Sequence, residues 1–328
     1  LTAGNNFELL AYGNALDASG DYDTDRSVMV NSLSDGLALV AGRSAISNST
    51  VGSLVTAFLG DDSSVHAGND VNVNARSYTL VETDADTKLT GLVGQACIAR
   101  GVNTIDISTL SGNSSLTSVT GFSLSANNDI DIVSDTDLTS NVDTNAVVWA
   151  LGGATSSAIN DDVVVNTGVL LGNGSSTIAG DDLLLGANKD VLQVTNAAVG
   201  GIALTGANAS ASCTATTWVM VSAATIGGNT ITFDTSDPVV SKVKSTVSDK
   251  DVSDADWDLA VKEGRVGGQA SVSADVLIVS AIGEGVTVNA DKVRVINKLA
   301  KLDLSAEAEL KTRRKHNIEL VESEELKL

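Results

Sequence analysis

The chain has 328 residues, a net charge of −21, 43% hydrophobic residues, 3% aromatic residues and a single proline, Pro238. The negative charge argues against nucleic-acid binding, because that function needs Lys and Arg to neutralise phosphates. It suits a soluble protein in a cation-containing medium. No apolar run is long enough to span a membrane. With so few aromatic residues, the core must be built from Val, Leu, Ile and Ala, which suits a cross-section that repeats.

One nineteen-residue pattern occurs twice in the chain. Residues 57–75 read AFLGDDSSVHAGNDVNVNA and residues 169–187 read VLLGNGSSTIAGDDLLLGA. Its second half recurs more loosely along the chain as AGNNFELLA, AGNDVNVNA, ANNDIDIVS, AGDDLLLGA, GGNTITFD and GEGVTVNA, with the first apolar residues at Phe7, Val71, Ile130, Leu183, Ile231 and Val286. These anchors predict an internal repeat with a period of about 56 residues.

A second phrase, made of small residues, recurs in step with the first. Its copies are GLALVAGRSA, GLVGQACIA, LGGATSSAI, GGIALTGANA and GGQASVSA. We expect this phrase where the core is narrow or where two backbones approach closely. Between the phrases lie short alternating runs of Val, Ile, Thr and Ser that stop at Gly, Asn or Asp, which are strand and turn signals.

Repeated short strands predict an all-β fold, a right-handed parallel β-helix (β-solenoid) with about three strands per coil. We expect residues 1–295 to form the repeat array. Strands of ordinary length divide each repeat into three coils of about 19 residues, and stacked coils of that size predict a rod of about 80 Å. The Gly-Asn-Asp corner is expected to hold residues with φ > 0 and side-chain bonds to the backbone.

The frame L-G-x-x-S-S-x-x-A-G-x-D, alternating with Gly/Ala-rich strands, resembles the repeat region of large secreted bacterial filamentous adhesins, the filamentous-haemagglutinin-like and leukotoxin-like proteins. The resemblance covers roughly residues 1–295. It implies a right-handed parallel β-helix, export through an outer-membrane pore, and a role in adhesion or biofilm cohesion. The chain begins at Leu1 without a signal-peptide pattern, from which we expect a mature product or an excerpt of a longer protein.

Acid pairs are the candidate metal ligands. Carboxylates at i and i+2 of a strand share a face, so stacked pairs could hold Ca²⁺. The candidates are Asp21, Asp23, Asp25, Asp84, Asp86, Asp135 and Asp137, and similar acids recur at Asp249, Asp251, Asp254, Asp256 and Asp258. The alternative is that they are solvated acids that keep the array soluble. No cofactor is required by any motif, and we expect no catalytic residues.

The remaining reactive residues are few. Cys97 and Cys213 are expected to be free and buried, because about six coils of about 19 residues lie between them and place them about 29 Å apart along the axis. His66 is expected to face outward at a corner, and the other histidine is His316. Trp149, Trp218 and Trp257 are interpreted as buried spacers or lone surface aromatics rather than sugar-stacking residues.

The end of the chain changes character. Acids greatly outnumber bases before Pro238 and nearly balance them afterwards, which suggests a boundary or a change of surface near that residue. Residues 296–328 form a charged segment that is either a helical or other cap of the solenoid or a continuing coil.

These features favour a structural segment of a secreted or cell-surface adhesin, which contacts a host or neighbouring-cell surface through an unknown glycan or protein receptor. One alternative is a subunit that stacks end to end into an extracellular filament. A less favoured alternative is a β-helix polysaccharide lyase or hydrolase, which would need clustered acids, a basic residue and aromatic residues in one groove.

Overall fold

The computed structural model describes residues 1–13, 28–113, 121–151, 154–201, 204–248 and 266–311, and all of its regular structure is β, with no helix in these ranges. The strands are β1 (Thr2–Ala3), β2 (Phe7–Tyr12), β3 (Val28–Leu59), β4 (Ser64–Ala67), β5 (Val71–Asn113), β6 (Ser123–Ala126), β7 (Ile130–Leu151), β8 (Ala154–Leu171), β9 (Ser176–Ala179), β10 (Asp182–Gly201), β11 (Leu204–Val221), β12 (Thr225–Ser248), β13 (Val266–Ile282) and β14 (Thr287–Lys311). Every pairing between them is parallel, so the predicted parallel β-helix is confirmed.

Each predicted repeat corresponds to one full coil of the β-helix. In successive coils, the same position is occupied by Phe7, Val71, Ile130, Leu183, Ile231 and Val293. The first five anchors coincide with those identified from the sequence. The sixth was placed wrongly at Val286, because GEGVTVNA stacks on the preceding turn and strand instead: Thr287 and Val288 pair with Thr225 and Ile226.

The predicted division of each repeat into three small coils is wrong. Phe7 pairs directly with Val71 and Leu183 with Ile231, so one full coil takes up the whole repeat. Six stacked positions about 4.8 Å apart make an array only about 24 Å high between the first and last backbone. The predicted long, slender rod is therefore replaced by a broad, flat stack of few coils.

Each coil has three sides, as predicted, but two of them are far longer than ordinary strands. In the third coil, β7 forms the first long side, β8 the second long side and the four residues of β9 the short side. A side of about 20 residues extends about 65 Å. In other coils one continuous strand covers two sides: β5 covers both long sides, and β12 and β14 each join a short side to a first long side.

The two long sides face each other across a thin core. Thr136 on β7 hydrogen-bonds to Thr109 on β5 at 2.8 Å and to Thr167 on β8 at 2.7 Å. Nearer the short side, Ser134 donates to Ser111 over 2.9 Å. The chain passes from one long side to the other at the small-residue phrases, for instance between Leu151 and Ala154, which agrees with the expected narrow part of the core.

The core divides into three apolar clusters along the long sides. The cluster beside the short side contains the large side chains Phe122, Phe233, Ile130 and Leu183. A middle cluster surrounds Ile107 and Leu138, and the cluster near the bend is mostly Ala and Val. Ala and Val predominate near the bend and no aromatic residue belongs to that cluster, which accounts in part for the low aromatic content.

The Gly-Asn-Asp corner is a ladder of side chains that bond to the next coil. The Asn6 Oδ1 atom accepts the Asp70 N–H at 3.4 Å, Asp70 Oδ1 accepts the Asp129 N–H at 3.5 Å, and Asp129 Oδ1 accepts the Asp182 N–H at 3.0 Å. Each side chain therefore satisfies a backbone donor at a turn where the sheet ladder is interrupted. This confirms the predicted side-chain-to-backbone bonds.

The prediction of positive φ at this corner is wrong. Gly68 and Gly180 are not in the left-handed region; a Cβ at either position would collide with the carbonyl oxygen of Gly4 or Asn127 in the coil beneath. Glycine is needed there for close approach of two backbones. Positive φ occurs instead at the turn before the short side, at Asp62, Gly174, Ala223 and Gly285, with φ from 47° to 75°.

The coil length varies because the same two stacked positions are separated by different numbers of residues in different coils. Tyr12 and Val28 stack on Arg76 and Val81, so residues 13–27 of the first coil correspond to residues 77–80 of the second. Similarly, residues 249–265 separate Ser248 from Val266, where the coil beneath has residues 201–204. The irregular period is thus compatible with a regular stack.

No break occurs near Pro238 or residue 296. Pro238 lies inside β12, where a register shift between Ser236 and Pro238 accommodates a residue that cannot donate to the ladder. Strand β14 runs through Ile296 to Lys311, and the two interpretations of residues 296–328, cap or continuing coil, both stay predictions. Residues 312–328 lie outside the described residues.

We predict that Gly180→Ala lowers the free energy of unfolding by about 1–3 kcal/mol, because the new methyl group forces two coils apart. The matched control is Gly52→Ala in β3, where nothing lies within 4 Å of the added Cβ; this change should be neutral or slightly stabilising. Urea unfolding of both variants measures the difference. Equal stability of the two would contradict the close approach at the corner.

Candidate functional site

Four of the predicted acids lie on the outer surface of the first long side. Asp84 and Asp86 on β5, and Asp135 and Asp137 on β7, alternate with buried residues, so each i, i+2 pair shares the outer face as predicted. The two pairs are not brought together, because they belong to different positions along the side. Asp21, Asp23 and Asp25, like Asp249, Asp251, Asp254, Asp256 and Asp258, lie outside the described residues.

The register stacks Asp84 on another acid. Its ladder partners are Asn31 in the first coil and Asp143 in the third, and the next coil places Asn196 at the same position. A surface groove of about 300 Å³ follows this column and is lined by Met29, Asn31, Glu82, Thr83, Asp84, Asn141, Asp143 and Val194. The groove therefore presents three carboxylates on neighbouring strands.

The stacked acids repel one another. Burial raises the pKa of Asp84, and the charges of Asp86 and Asp143 raise it further. The pKa of Asp86 rises for the same two reasons, burial and the charge of Asp143. Because no positive charge opposes these shifts, this part of the outer face favours either protonation or a counter-ion.

The second predicted pair is arranged differently. Asp135 lies 3.3 Å from the Arg76 Nε atom and accepts a hydrogen bond from Asn188 at 3.2 Å; burial still raises its pKa against both contacts. Asp137 is followed in the next coil by Asp190, and burial together with that charge raises its pKa. Asp135 thus contacts residues of both neighbouring coils. Asp137 is instead stacked on another acid, as Asp84 is.

The geometry leaves calcium as a hypothesis. Among the described residues, no group of three or more His, Cys, Asp or Glu side chains is arranged to hold a metal ion. Glu82, Asp84 and Asp143 line the groove and supply oxygen atoms of the kind that Ca²⁺ prefers, and Asp86 adds its negative charge beside them.

A buried polar network inside the stack was not identified from the sequence. Asn103 and Asp161 are successive residues of one inward column on the second long side, and Ser140 and Gln193 face them from the first. Asn103 Nδ2 donates to Ser140 Oγ at 3.0 Å, Ser140 Oγ donates to Asp161 Oδ1 at 2.9 Å, and Gln193 Nε2 donates to Asp161 Oδ2 at 3.2 Å. Ser49 extends the chain into the first coil by donating to Asn103 Oδ1 at 2.7 Å.

Asp161 is the most perturbed acid of this network. Burial raises its pKa to about 6, although hydrogen bonds from Ser140 and Gln193 favour the charged form. Its side chain is fully buried. A carboxylate so placed has no access to a solvent-borne substrate, so its role is to connect adjacent coils.

A second buried polar site joins the fourth and fifth coils. Lys189 Nζ lies 3.3 Å from Asp237 Oδ2, both side chains are fully enclosed, and Thr217 Oγ1 donates to Asp237 Oδ1 at 2.6 Å. The Lys189 and Asp237 atoms are not aligned as a hydrogen bond, so charge attraction holds the pair. Burial lowers the pKa of Lys189 to about 8 against the opposing effect of Asp237.

The remaining candidate residues have structural environments. Cys97 and Cys213 are free and buried, as predicted; the coil count behind that prediction was wrong, since they are two coils and about 27 Å of strand apart. Burial raises the pKa of Cys213 to about 11, which disfavours the reactive thiolate. His66 is exposed, as expected, but on β4 rather than at a corner, 2.9 Å from Ser125 Oγ.

Trp218 is half-buried because its ring covers Gly168 in the coil beneath, where an added Cβ would collide with the ring. This fits the interpretation as a lone surface aromatic. Trp257 and His316 lie outside the described residues, as does the side chain of Trp149. In the part of the chain that the structure describes, no helix is long and apolar enough to cross a membrane.

Comparison of the chain with protein-family models, with curated proteins and with solved structures gives no match. The resemblance to filamentous adhesins therefore depends on the repeat pattern alone and stays a prediction. No residue role is transferred from another protein.

The calcium hypothesis predicts a higher melting temperature in millimolar Ca²⁺ than in EDTA, because a cation would neutralise the stacked carboxylates at the groove. The double variant Asp84→Asn/Asp143→Asn should lose this difference, whereas Asp106→Asn, an exposed acid on the second long side, should keep it. Scanning calorimetry measures both. An unchanged melting temperature of the unmodified chain in Ca²⁺ and EDTA would exclude the hypothesis.

We predict that Asp161 makes the protein less stable as the pH rises. Its folded-state pKa of about 6 lies above the ordinary value of 3.8, so the folded state binds the proton more tightly between these values. The stabilisation is complete below about pH 4 and is lost as the pH rises through 6, with a slope of at most about 1.4 kcal/mol per pH unit.

Urea unfolding between pH 4 and pH 7 measures this slope. Asp161→Asn should reduce this slope by the contribution of up to one bound proton, whatever its effect on the free energy of unfolding at a single pH. Asp162→Asn, at the neighbouring exposed position, should leave the slope unchanged. Parallel pH profiles for the unmodified chain and Asp161→Asn would contradict the assignment.

Proposed function

We propose that the chain is a structural segment of a secreted or cell-surface bacterial adhesin or extracellular filament, and that it mediates adhesion or biofilm cohesion without catalysis. The observation that carries this proposal is the use of all fourteen described strands in one continuous parallel stack. A stack of this kind suits a structural role, because each coil contacts only its neighbours and the array can be extended by adding coils.

The buried contacts support a mechanical role. Hydrogen bonds along both long sides are reinforced inside the stack by the Asn103–Ser140–Asp161–Gln193 network and by the Lys189–Asp237 pair, which cross from coil to coil. Separating two coils would break these polar contacts at the same time as the backbone ladder between the coils. The coils are thus tied together by more than their backbone ladders.

The outer surface supports an extracellular setting. The stacked acids at Asp84 and Asp143 and at Asp137 and Asp190 are best tolerated in a medium rich in salt or cations. The partners under this proposal are a host or neighbouring-cell surface, with a glycan or protein receptor.

We rank this role above polysaccharide cleavage because of the groove at Asp84. Its described lining residues include three acids but no basic and no aromatic side chain. A polysaccharide-cleaving groove would combine acids with a basic residue and sugar-stacking aromatic residues.

A second candidate function is that of a subunit that stacks end to end into a filament. The observation that favours it lies within the described residues: β3 pairs only with β5 and β14 only with β12, which leaves one edge of each strand without a described strand beside it. Such edges are templates for pairing with another chain.

To test the adhesion proposal, the chain is fused to an outer-membrane anchor and displayed on bacteria that do not aggregate. We expect displaying cells to form more cell aggregates and more biofilm than cells with the anchor alone. The expected increase should be inhibited by added soluble chain and absent from cells that display a scrambled sequence of the same composition. Equal aggregation and biofilm mass in all three strains would overturn the proposal.

A further inference from the structure

An amine and a carboxyl group meet in the core between the fourth and fifth coils. Lys189 lies on β10 and Asp237 on β12. Two residues further along, Val191 pairs with Val239, so the two charged side chains are neighbours on the inward face. Both are fully enclosed, and Lys189 Nζ lies 3.3 Å from Asp237 Oδ2. Neither atom forms an aligned hydrogen bond to any described residue, so nothing else engages the amine nitrogen or this carboxyl oxygen.

We propose that Lys189 and Asp237 condense into an amide bond, which joins the fourth and fifth coils by a covalent link between side chains. The ion pair described above is the reactant state of this step. Because the fold holds the two groups in contact, their reaction is intramolecular and avoids the entropic cost of an encounter. This modification goes beyond the proposed function and does not rest on it.

The condensation is balanced within the pair. A proton passes from the Lys189 ammonium group to Asp237 Oδ2, which leaves a neutral amine beside a neutral carboxylic acid. The Nζ lone pair then attacks the Asp237 Cγ atom, the C–N bond forms, and the carbonyl electron pair moves onto Oδ1. When the carbonyl group forms again, the Cγ–Oδ2 bond breaks, and Oδ2 leaves as water with its own proton and a second proton from Nζ. The products are one amide and one water molecule, and no oxidant or cofactor is needed.

The surroundings favour the reactive protonation states. Burial lowers the pKa of Lys189 to about 8 and raises the pKa of Asp237. The opposite charge of each partner counteracts these shifts. A neutral amine is the nucleophile and a neutral carboxylic acid is the better electrophile, so both shifts lead towards the reacting pair. The amide product is uncharged and removes the cost of keeping two ions in the core.

Thr217 is placed to assist at the other carboxyl oxygen. It lies on β11, on the facing long side, and its hydroxyl group donates a hydrogen bond to Asp237 Oδ1 at 2.6 Å. Negative charge develops on this oxygen when Nζ attacks, and a hydrogen-bond donor already in position stabilises that charge. The two oxygens therefore differ in role: Oδ1 is held as the carbonyl oxygen, and Oδ2, beside the amine, is the leaving group.

Pro238 removes a competing reaction of the same carboxyl group. An aspartate side chain can cyclise when the backbone nitrogen of the next residue attacks it, but that reaction needs an N–H group, which proline lacks. The amine beside Asp237 is therefore that of Lys189. The arrangement is also specific to these two coils, because the same inward position holds Ser77 in the second coil and Thr136 in the third.

Trypsin reports the link directly, because Lys189 is the only Lys or Arg between Arg100 and Lys242. An unreacted chain gives the peptides 101–189 and 190–242. Trypsin needs a positive charge in its specificity pocket and does not cleave after an acylated lysine. The reacted chain therefore gives a single peptide, 101–242, that is lighter than its sequence by one water molecule.

The chain is purified unfolded in urea, refolded, and sampled over time by mass spectrometry of the intact chain and of its tryptic peptides, with folding checked by circular dichroism. We expect the full sequence mass in urea and the loss of one water molecule after refolding. Lys189→Met should keep the full mass, whereas Lys292→Met, at an exposed lysine of β14, should lose water as the unmodified chain does. Thr217→Val should form the link about 100-fold more slowly.

The first measurement uses the unmodified chain, so it is decisive even if a variant fails to fold. A folded chain that keeps its full mass and gives peptides 101–189 and 190–242 after prolonged incubation would overturn the proposal. Loss of water in folded Lys189→Met would also overturn it, because the dehydration would then lie elsewhere. Equal rates in Thr217→Val and the unmodified chain would overturn the role of the hydroxyl group. None of these results depends on cell adhesion, so the proposed function succeeds or fails separately.

Discussion

The fold depends on the strict stacking of each residue on the residue at the same position of the next coil. The parallel ladder fixes this relation over whole sides; for example, β10 pairs with β7 from Leu183↔Ile130 to Gly201↔Val148 without a shift. Each inner residue must therefore suit two neighbours at about 4.8 Å, one above and one below. Corner side chains that bond to the next coil, apolar core columns and stacked surface acids all follow from this single constraint.

The facing long sides impose a second constraint, which is thickness. Thr136 touches threonines on the opposite side directly, so a large side chain does not fit at this position. Small polar residues such as Ser and Thr fit if they bond across the gap, and many do. Larger polar groups are tolerated where several coils satisfy them together, as Asp161 and Asn103 show. Aliphatic clusters together with small hydrogen-bonded polar residues thus fill the interior of a chain with 3% aromatic residues.

The sequence contains more information about this structure than the predictions used. Alternation and repeated corners located the coil starts through Ile231, because turn chemistry is local and recurs with each coil. Coil size could not be obtained in the same way: strands of about five or six residues are the norm, and nothing local shows that two sides extend for about 20 residues. Lys189, Gln193 and Asp161 could have been placed inside, since each keeps the phase of the apolar residues in its strand, as in Leu183, Leu185, Ala187 and Val191.

The same register that organises the core decides where charge can be placed. In the middle coils, Asp84 lies beside Asp143 on the outer face because the register fixes the residues above and below each position. Their ladder spacing of about 4.8 Å is shorter than the screening length of about 8 Å at physiological salt. Salt weakens that repulsion without removing it, so the inner coils tolerate it only because backbone ladders and buried polar contacts outweigh it.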